Sequence, residues 1–306
     1  MGLYYNDFSS FMRRRFGCKV QKISLDGGFT CPNRDGTVGR GGCTYCNNQT
    51  FNPAYCHTHK SVKEQLTDGV QFFAHKYPEM RYLAYFQAYT NTYAPLDRLR
   101  ALYEEALQVP GVVGIVISTR PDCISPALLD YLATLAQRTY VLVEYGIEST
   151  DDATLARINR GHTYAVAVDA VTRTAQRGID TGAHLIVGLP GEKEDAIITM
   201  AHEISRLPLT TVKLHQLQLI KDTRMAQEYE EHPEDFKLFS PDEYINLVAH
   251  FVEHIHPQFV LERFVSSSPD DLLIAPRWGL KNYEFVERLN HTLQLRGTRQ
   301  GIYFVS

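Results

Sequence analysis

Three cysteines stand in one Gly-rich, polar stretch, Cys31-Pro-Asn-Arg-Asp-Gly-Thr-Val-Gly-Arg-Gly-Gly-Cys43-Thr-Tyr-Cys46. Thiolates are soft ligands, and three converging on one point select zinc, copper(I) or an iron–sulfur cluster. The number is informative. Structural zinc takes four protein ligands, and a four-iron cluster commonly takes four cysteines. A trio leaves one metal position open to a small molecule. Cys56 is a candidate fourth ligand, with His57 and His59 beside it, and that set would make a closed zinc knuckle. A third reading leaves the cysteines unliganded and buried. Spacing alone leaves all three open.

The elements that would position this stretch follow a βα rhythm. Residues 1–19 read as a helical lead-in, with a helix from Asp7 to Phe16 and Arg13, Arg14 and Arg15 in a row. That arginine run is either a solvated helix end or a contact for a phosphate backbone. Val20–Leu25 is the first strand and delivers the chain through Asp26-Gly27-Gly28 to the cysteines. Ser61 and Glu64 form a capping box, followed by Val62, Leu66, Val70 and Phe73 at helical spacing. Tyr82–Phe86 is the second strand, Pro95–Gln108 a helix, and Val112–Ser118 an apolar strand of the kind buried on both faces. Ser125-Pro126 opens another helix. Val141–Tyr145 is the fourth strand, and Tyr164–Arg177 is a helix stopped by Gly178. His184–Val187 belongs to the fifth strand, Glu192–Arg206 is a helix, and Thr211–Leu219 is the sixth strand.

Six strands alternating with helices over about 200 residues imply an α/β fold with parallel βαβ units. A full barrel takes eight units, so the expectation is a partial (β/α)6 barrel with a lateral opening. The core barrel is placed at residues 20–225, and residues 226–306 form a C-terminal α+β extension covering it. Within that extension, Glu228–Asp235 reads as a surface turn, Ser240–His254 as an amphipathic helix, Phe259–Phe264 as an extra strand and Tyr283–Leu293 as a last helix. Arg263 and Trp278 are candidates for the cover and for substrate contacts.

Bulk properties narrow the class. A chain of 306 residues, 44% hydrophobic, has room for one large domain or two small ones. A net charge of −4 and a pI near 6.3 exclude a strongly basic nucleic-acid-binding protein, while leaving room for a local patch that holds RNA. The start, Met-Gly-Leu-Tyr-Tyr-Asn-Asp, lacks a basic segment followed by an apolar one, so no signal peptide is expected. No apolar run approaches roughly 20 residues, which argues against a membrane span. Six cysteines in this length are too few for a disulfide scaffold, so reduced thiols and a cytoplasmic location are expected. Cys18 and Cys123 read as small buried hydrophobes.

Ligands of α/β sheets bind beyond the carboxyl ends of the strands, and the cysteine stretch follows the first strand. Polar groups recur at that edge: Gln87-Ala-Tyr-Thr-Asn91, Thr119-Arg-Pro-Asp122, Glu144 with Glu148, Gly188-Leu-Pro-Gly191, and Lys213 with His215. Glu144 within an apolar strand needs a partner. Together these groups read as one site for a sizeable polar cofactor.

The cysteine pattern resembles that of the radical S-adenosylmethionine (radical SAM) superfamily, except that eleven residues rather than three separate the first two cysteines. A bacterial family with this long gap, the YhcC-like or YtqA-like group, is similar from about Phe16 to Arg224. The likeness is carried by Tyr-Phe-Gln-Ala-Tyr-Thr-Asn-Thr (85–92), Thr-Arg-Pro-Asp-Cys (119–123), Ile-Asn-Arg-Gly-His (158–162) and His-Leu-Ile-Val-Gly-Leu-Pro-Gly-Glu (184–192). More loosely, the chain resembles the radical-SAM module of the elongator catalytic subunit.

The resemblance implies that Cys31, Cys43 and Cys46 hold a [4Fe–4S] cluster whose fourth iron takes the amino and carboxylate groups of S-adenosylmethionine. By the same resemblance Tyr45 packs near the adenine, and Gln87, Tyr89, Thr90 and Asn91 meet the methionine end, although the common Gly-Gly-Glu is absent there. Ser118 and Glu144 contact ribose or methionine, and Arg157 or Arg160 pairs with the carboxylate. Gly188 and Pro190 let the backbone approach, and Leu219 or Ile220 lies beside the adenine. The implied activity is formation of a 5′-deoxyadenosyl radical, with a tRNA wobble uridine as the family-based substrate. The implied partners are tRNA and an electron donor such as flavodoxin or ferredoxin. Two rival readings are a small-molecule reaction such as anaerobic oxidative decarboxylation, and a non-enzymatic, zinc-stabilised α/β binding module.

Overall fold

Parallel pairing organises the molecule. In the computed structural model, which describes residues 4–51, 53, 55–74, 79–193 and 195–305, seven parallel strands form one curled sheet, a half-barrel. They are β1 (Lys19–Leu25), β2 (Met80–Phe86), β3 (Val112–Thr119), β4 (Tyr140–Glu148), β5 (Asp180–Val187), β6 (Thr211–Gln216) and, beyond the short β7 (Leu219–Ile220), β8 (Val260–Arg263). The first six neighbour one another in sequence order, and β8 adds to β6 as the second edge. β7 pairs instead with β9 (Leu273–Ala275) in a separate antiparallel ribbon.

Helices cover the outer face: α3 (Val62–Ala74), α4 (Leu96–Leu107), α5 (Pro126–Ala136), α7 (Tyr164–Ala175), α8 (Ala196–Ser205), α10 (Pro241–His254) and α11 (Asn282–Arg296). Their starts obey local chemistry. Glu64 accepts from the Ser61 amide while Ser61 Oγ accepts from the Glu64 amide, Ser125 Oγ caps α5 at Leu128, and Ser240 and Glu243 form a reciprocal box on α10. Outward strand residues such as Ile23, Phe86, Ile117, Val143, Leu185 and Leu214 pack under these helices as the main core.

The inner face is layered. Its lower layer is apolar: α1 (Phe8–Phe16) sends Met12 against Leu83, Tyr85, Val116, Tyr140 and Leu142, with Phe8, Phe11 and Phe16 around it. Met12 is wholly buried. The lead-in helix is therefore a plug on the inner face, joined to the β8 edge by a bridge between Asp7 and Leu261. Arg15 lies over the Tyr140 ring at 4.7 Å, while Arg13 and Arg14 stay exposed. Residues 1–3 of the expected lead-in lie outside the described residues.

Three expectations change. The acidic run Glu228–Asp235 is not a simple turn, because its first half belongs to α9 (Arg224–Glu231), capped by Thr223 Oγ at Ala226. The sixth strand stops at Gln216, so Leu219 belongs to β7. The helix expected from Glu192 begins at Ala196, since Glu192 is occupied with backbone amides (residue 194 lies outside the described residues). No described helix is long and apolar enough to cross a membrane.

Candidate functional site

The eleven residues between Cys31 and Cys43 fold back on themselves. Cys31 caps α2 (Pro32–Asp35), with Pro32 at its first turn, and an Asp35–Arg40 bridge closes a tight loop. Asn33, fully buried, donates from Nδ2 to Cys43 Sγ (3.6 Å) and to the Asn159 carbonyl (2.6 Å). The end of the long gap thus folds back onto its start, where the Gly42 amide donates to the Asn33 carbonyl (2.9 Å). Gly42 sits at φ +79°, where a side chain would be strained, and a Cβ there would press on Arg34 Nε at 2.9 Å.

Backbone bonds tie this stretch to the exit of β4. Thr44 donates to the Ile158 carbonyl (3.0 Å), and the Met225 amide at the start of α9 donates to the Thr44 carbonyl (2.9 Å). Asn159, in the left-handed region at φ 53°, donates from Nδ2 to the Gly42 carbonyl (2.7 Å). That turn follows α6 (Asp152–Arg157) and swings Arg160 inward.

Guanidinium groups surround the sulfurs. Arg160 Nη1 donates to Cys43 Sγ (3.5 Å) and Nη2 to the Gly146 carbonyl (2.5 Å), with Glu148 at 3.6 Å. Arg34 Nη2 donates to the Cys46 carbonyl (2.7 Å), and Asn48 Nδ2 to Cys46 Sγ (3.5 Å). Arg120 pairs with Asp122 at 2.8 Å. Burial pushes the Cys46 thiol up, and neighbouring Cys43 adds to that, against the pull of Arg34. Burial opposes the charge of Arg160, but Tyr45, Cys43 and Glu148 hold it protonated well above the ordinary range.

These residues border one cavity of about 870 Å³. Of the sequence-predicted residues, Cys31, Cys43, Cys46, Tyr45, Gln87, Tyr89, Thr90, Ser118, Arg160 and Ile220 line it. The others stand elsewhere. Asn91 donates its side chain to the Ser118 carbonyl (2.8 Å). Arg157 faces outward and pairs with Glu228 (2.5 Å) and Asp235 (3.3 Å), so Arg160 is the arginine at the cysteines. Gly188 and Pro190 make the turn after β5, where a Cβ on Gly188 would meet Phe239 at 2.9 Å, and Leu219 is packed in an apolar cluster. Arg263 lines the cavity, whereas Trp278 donates to the Phe239 carbonyl (2.9 Å) and packs on Tyr244.

Cys56 does not line the cavity. It is buried and its thiol donates to Gln65 Oε1 (3.2 Å), with burial pushing it up to about 12. Among the described residues no three His, Cys, Asp or Glu side chains meet as a site for a single metal ion. Cys56 is thus engaged with Gln65 and not with the three cysteines at the cavity. Cys123, half-buried, is pushed up to about 12 chiefly by burial.

The cluster and nucleotide implied by the resemblance can be tested on what the residues offer. The three thiols share the cavity lining with Arg34, Arg120 and Arg160, and Arg120 Nη1 and Arg160 Nε are buried donors with no partner among the described residues. Cationic donors around soft ligands suit an anionic iron–sulfur cluster and a carboxylate beside it. The residues fit.

Deeper inside lies a feature that periodicity missed. Glu144, Lys22, Glu262 and Lys213, from β4, β1, β8 and β6, form a closed ring of alternating charges. Its sides are Lys22–Glu144 2.7 Å, Lys22–Glu262 2.6 Å, Lys213–Glu144 2.8 Å and Lys213–Glu262 3.2 Å. Ser118 Oγ lies 3.1 Å from Glu144 Oε2, and His184 Nε2 lies 3.0 Å from the same oxygen. Both ammonium groups stand over the Tyr85 ring, at 5.0 and 4.6 Å. Burial would push the Glu144 carboxyl up, but Lys213, Lys22 and the His184 hydrogen bond hold it well below the usual range. Glu144 is thus committed to the protein, and its carboxylate does not line the cavity. The signal available in sequence was alternation: Lys22, Glu144 and Lys213 each interrupt an apolar strand.

Comparisons with known proteins show the family and the fold. Family models match residues 33–204 (Radical SAM superfamily) and 209–294 (Radical_SAM C-terminal domain). The chain is 38% identical to the uncharacterized protein YtqA of Bacillus subtilis, over 98% of this chain and 92% of that one. It is 36% identical to protein YhcC of Escherichia coli K12, over 96% and 94%. A solved structure of Methanocaldococcus infernus Elp3 superposes with a TM-score of 0.68 at 15% identity, covering 92% of this chain and 64% of that one. A tRNA uridine(34) acetyltransferase of Dehalococcoides mccartyi is 28% identical over 39% of this chain, which is 26% of its own length.

Proposed function

The chain belongs to the radical SAM superfamily of enzymes, and on that premise we propose that Cys31, Cys43 and Cys46 hold a [4Fe–4S] cluster whose open iron binds S-adenosylmethionine. Bound there, cluster and nucleotide would supply reductive cleavage of the sulfonium and a 5′-deoxyadenosyl radical that takes a hydrogen atom from the substrate. The protein's part is to hold and shield. Arg160 pairs with the methionine carboxylate, Gln87, Tyr89, Thr90 and Ser118 orient the polar groups, and Tyr45 and Ile220 flank the adenine. The ionic ring and the α1 plug close the inner end against water. An electron donor such as flavodoxin or ferredoxin would supply the reducing electron in the cytoplasm.

The observation that carries this reading is the cysteine trio lining one cavity with Arg34, Arg120 and Arg160, two of whose buried donors lack partners among the described residues.

For the substrate we favour tRNA at a wobble uridine. Tyr5, Phe8, Tyr55 and Phe73 line the cavity together with Lys19 and Arg263. Aromatic faces beside cations suit an unstacked base and its phosphate. The match to a tRNA uridine(34) acetyltransferase, partial as it is, supports the same substrate. A cavity of about 870 Å³ also suits a small molecule, which is the second reading. Nucleoside mass spectrometry of tRNA from a strain lacking the gene decides between them. Loss of one modified uridine supports the RNA reading, and an unchanged profile removes it.

A further inference from the structure

We propose that His184 is a catalytic residue that takes a proton from the substrate, with Glu144 as its positioning residue. The proposal rests on the radical reading of the same cavity. His184 stands on the inner face of β5 and lines the cavity, with Nε2 3.0 Å from Glu144 Oε2. That carboxylate is ionised, held so by Lys22 and Lys213. An ionised carboxylate only accepts, so Nε2 must carry the hydrogen. In the neutral imidazole the lone pair is then on Nδ1, which has no hydrogen bond to the described residues. A buried carboxylate fixing the tautomer of an imidazole whose other nitrogen faces a substrate cavity is the arrangement of a general base.

The other groups around it do not offer the same. His215, 5.4 Å away between ring centroids, uses Nδ1 on Ser266 Oγ (2.7 Å). Burial, then His184 and Arg263, depress its basicity well below that of an ordinary imidazole. Tyr85 from β2, Ser118 from β3, Lys22 from β1 and Glu262 from β8 are all engaged in or against the ring.

A base at this place has a clear task. Loss of a hydrogen atom from a carbon acidifies an O–H or N–H on the adjoining atom. In the step assigned here that X–H bond breaks, its electron pair stays on X, and the proton goes to Nδ1. The imidazolium formed faces the Glu144 carboxylate and gives its proton up to solvent once product leaves the cavity. No oxidant or reductant is needed. The substrate class is therefore one with an ionisable O–H or N–H next to the carbon that loses hydrogen.

Two measurements test this on the full-length chain. Long-range 1H–15N correlation of 15N-histidine protein should show His184 with Nε2 protonated and Nδ1 bare, and the opposite tautomer would overturn the proposal. Turnover by the reconstituted enzyme is read by mass spectrometry on extracts, RNA included, from cells lacking the protein. His184→Ala and His184→Gln should each lower it by about 100-fold or more, and added imidazole should restore about tenfold to the alanine variant alone. Turnover within threefold of wild type in either variant, or no rescue, would overturn the role. A wild-type protein that forms no 5′-deoxyadenosine overturns the radical reading and this inference with it. A wrong tautomer in a protein that does form it overturns this inference only.

Discussion

Replacing Lys22 by Met tests the ionic ring, because one ammonium serves both carboxylates. Lys22 Nζ lies 2.7 Å from Glu144 Oε1 and 2.6 Å from Glu262 Oε2. Removal leaves Glu144 and Glu262 facing Lys213 alone, at 2.8 and 3.2 Å. All four side chains are largely buried, Glu144 to 1% exposure, so solvent cannot take over the lost charge. Breaking a buried pair from one side costs about 3–5 kcal/mol. At roughly 2–3 °C per kcal/mol that is a fall in Tm of about 6–15 °C. The sign with pH follows from Glu144, whose carboxyl the ring holds well below its usual range. Its contribution to stability is present above about pH 4.3 and lost as pH falls further. In the variant the two carboxylates share one cation and protonate more readily. The gap from wild type is therefore widest at pH 7–8 and narrows toward pH 4–5. Adding Glu262→Gln should recover about 1–2 kcal/mol by removing the surplus charge. Urea denaturation at both pH values measures this. A cost below about 1 kcal/mol at pH 7.5, or an equal cost at both pH values, would refute the ring as a buried unit.

Two further outcomes follow from other parts of the site. Glu192 is pushed up to about 7 by burial, although Ser149 Oγ and the Gly188 and Leu189 amides bond its carboxylate. Its native pKa exceeds the unfolded one, so stability falls as pH rises from about 4.5 to 7, by about 3 kcal/mol. Glu192→Gln should flatten that slope, and parallel denaturation curves at pH 5 and 8 for both proteins would contradict it. At Gly146 a Cβ would meet Glu148 Oε1 at 2.4 Å and Arg160 Nη2 at 2.6 Å. Gly146→Ala should displace Arg160 and weaken S-adenosylmethionine binding by about tenfold or more, on the order of the 1.5–3 kcal/mol of a charged hydrogen bond, with affinity measured by equilibrium dialysis. Unchanged affinity would dissociate Arg160 from the carboxylate.

Much of the fold was legible because its strands are apolar runs between good helix caps. The unread parts share a physical cause: they depend on which face a residue turns to. The basic run Arg13–Arg15 advertised solvent, while Met12 and three phenylalanines on the same helix carried it inside the half-barrel. Lys22 and Glu262 lie 240 residues apart and meet only because β1 and β8 are the two edges of one curled sheet. Arg157 and Arg160 looked equivalent, and the left-handed turn at Asn159 separates an outer ion pair from a cysteine contact. The acidic composition of Glu228–Asp235 hid a helix whose cap, Thr223, lies outside it.

The central claim is an iron site held by three cysteines and open to S-adenosylmethionine. Anaerobically reconstituted protein, reduced with dithionite and given S-adenosylmethionine, should form 5′-deoxyadenosine, while Cys31→Ala should form none and Cys56→Ala should match wild type. Absence of 5′-deoxyadenosine from a fully iron-loaded wild type, or loss of iron in Cys56→Ala as complete as in Cys43→Ala, would contradict it.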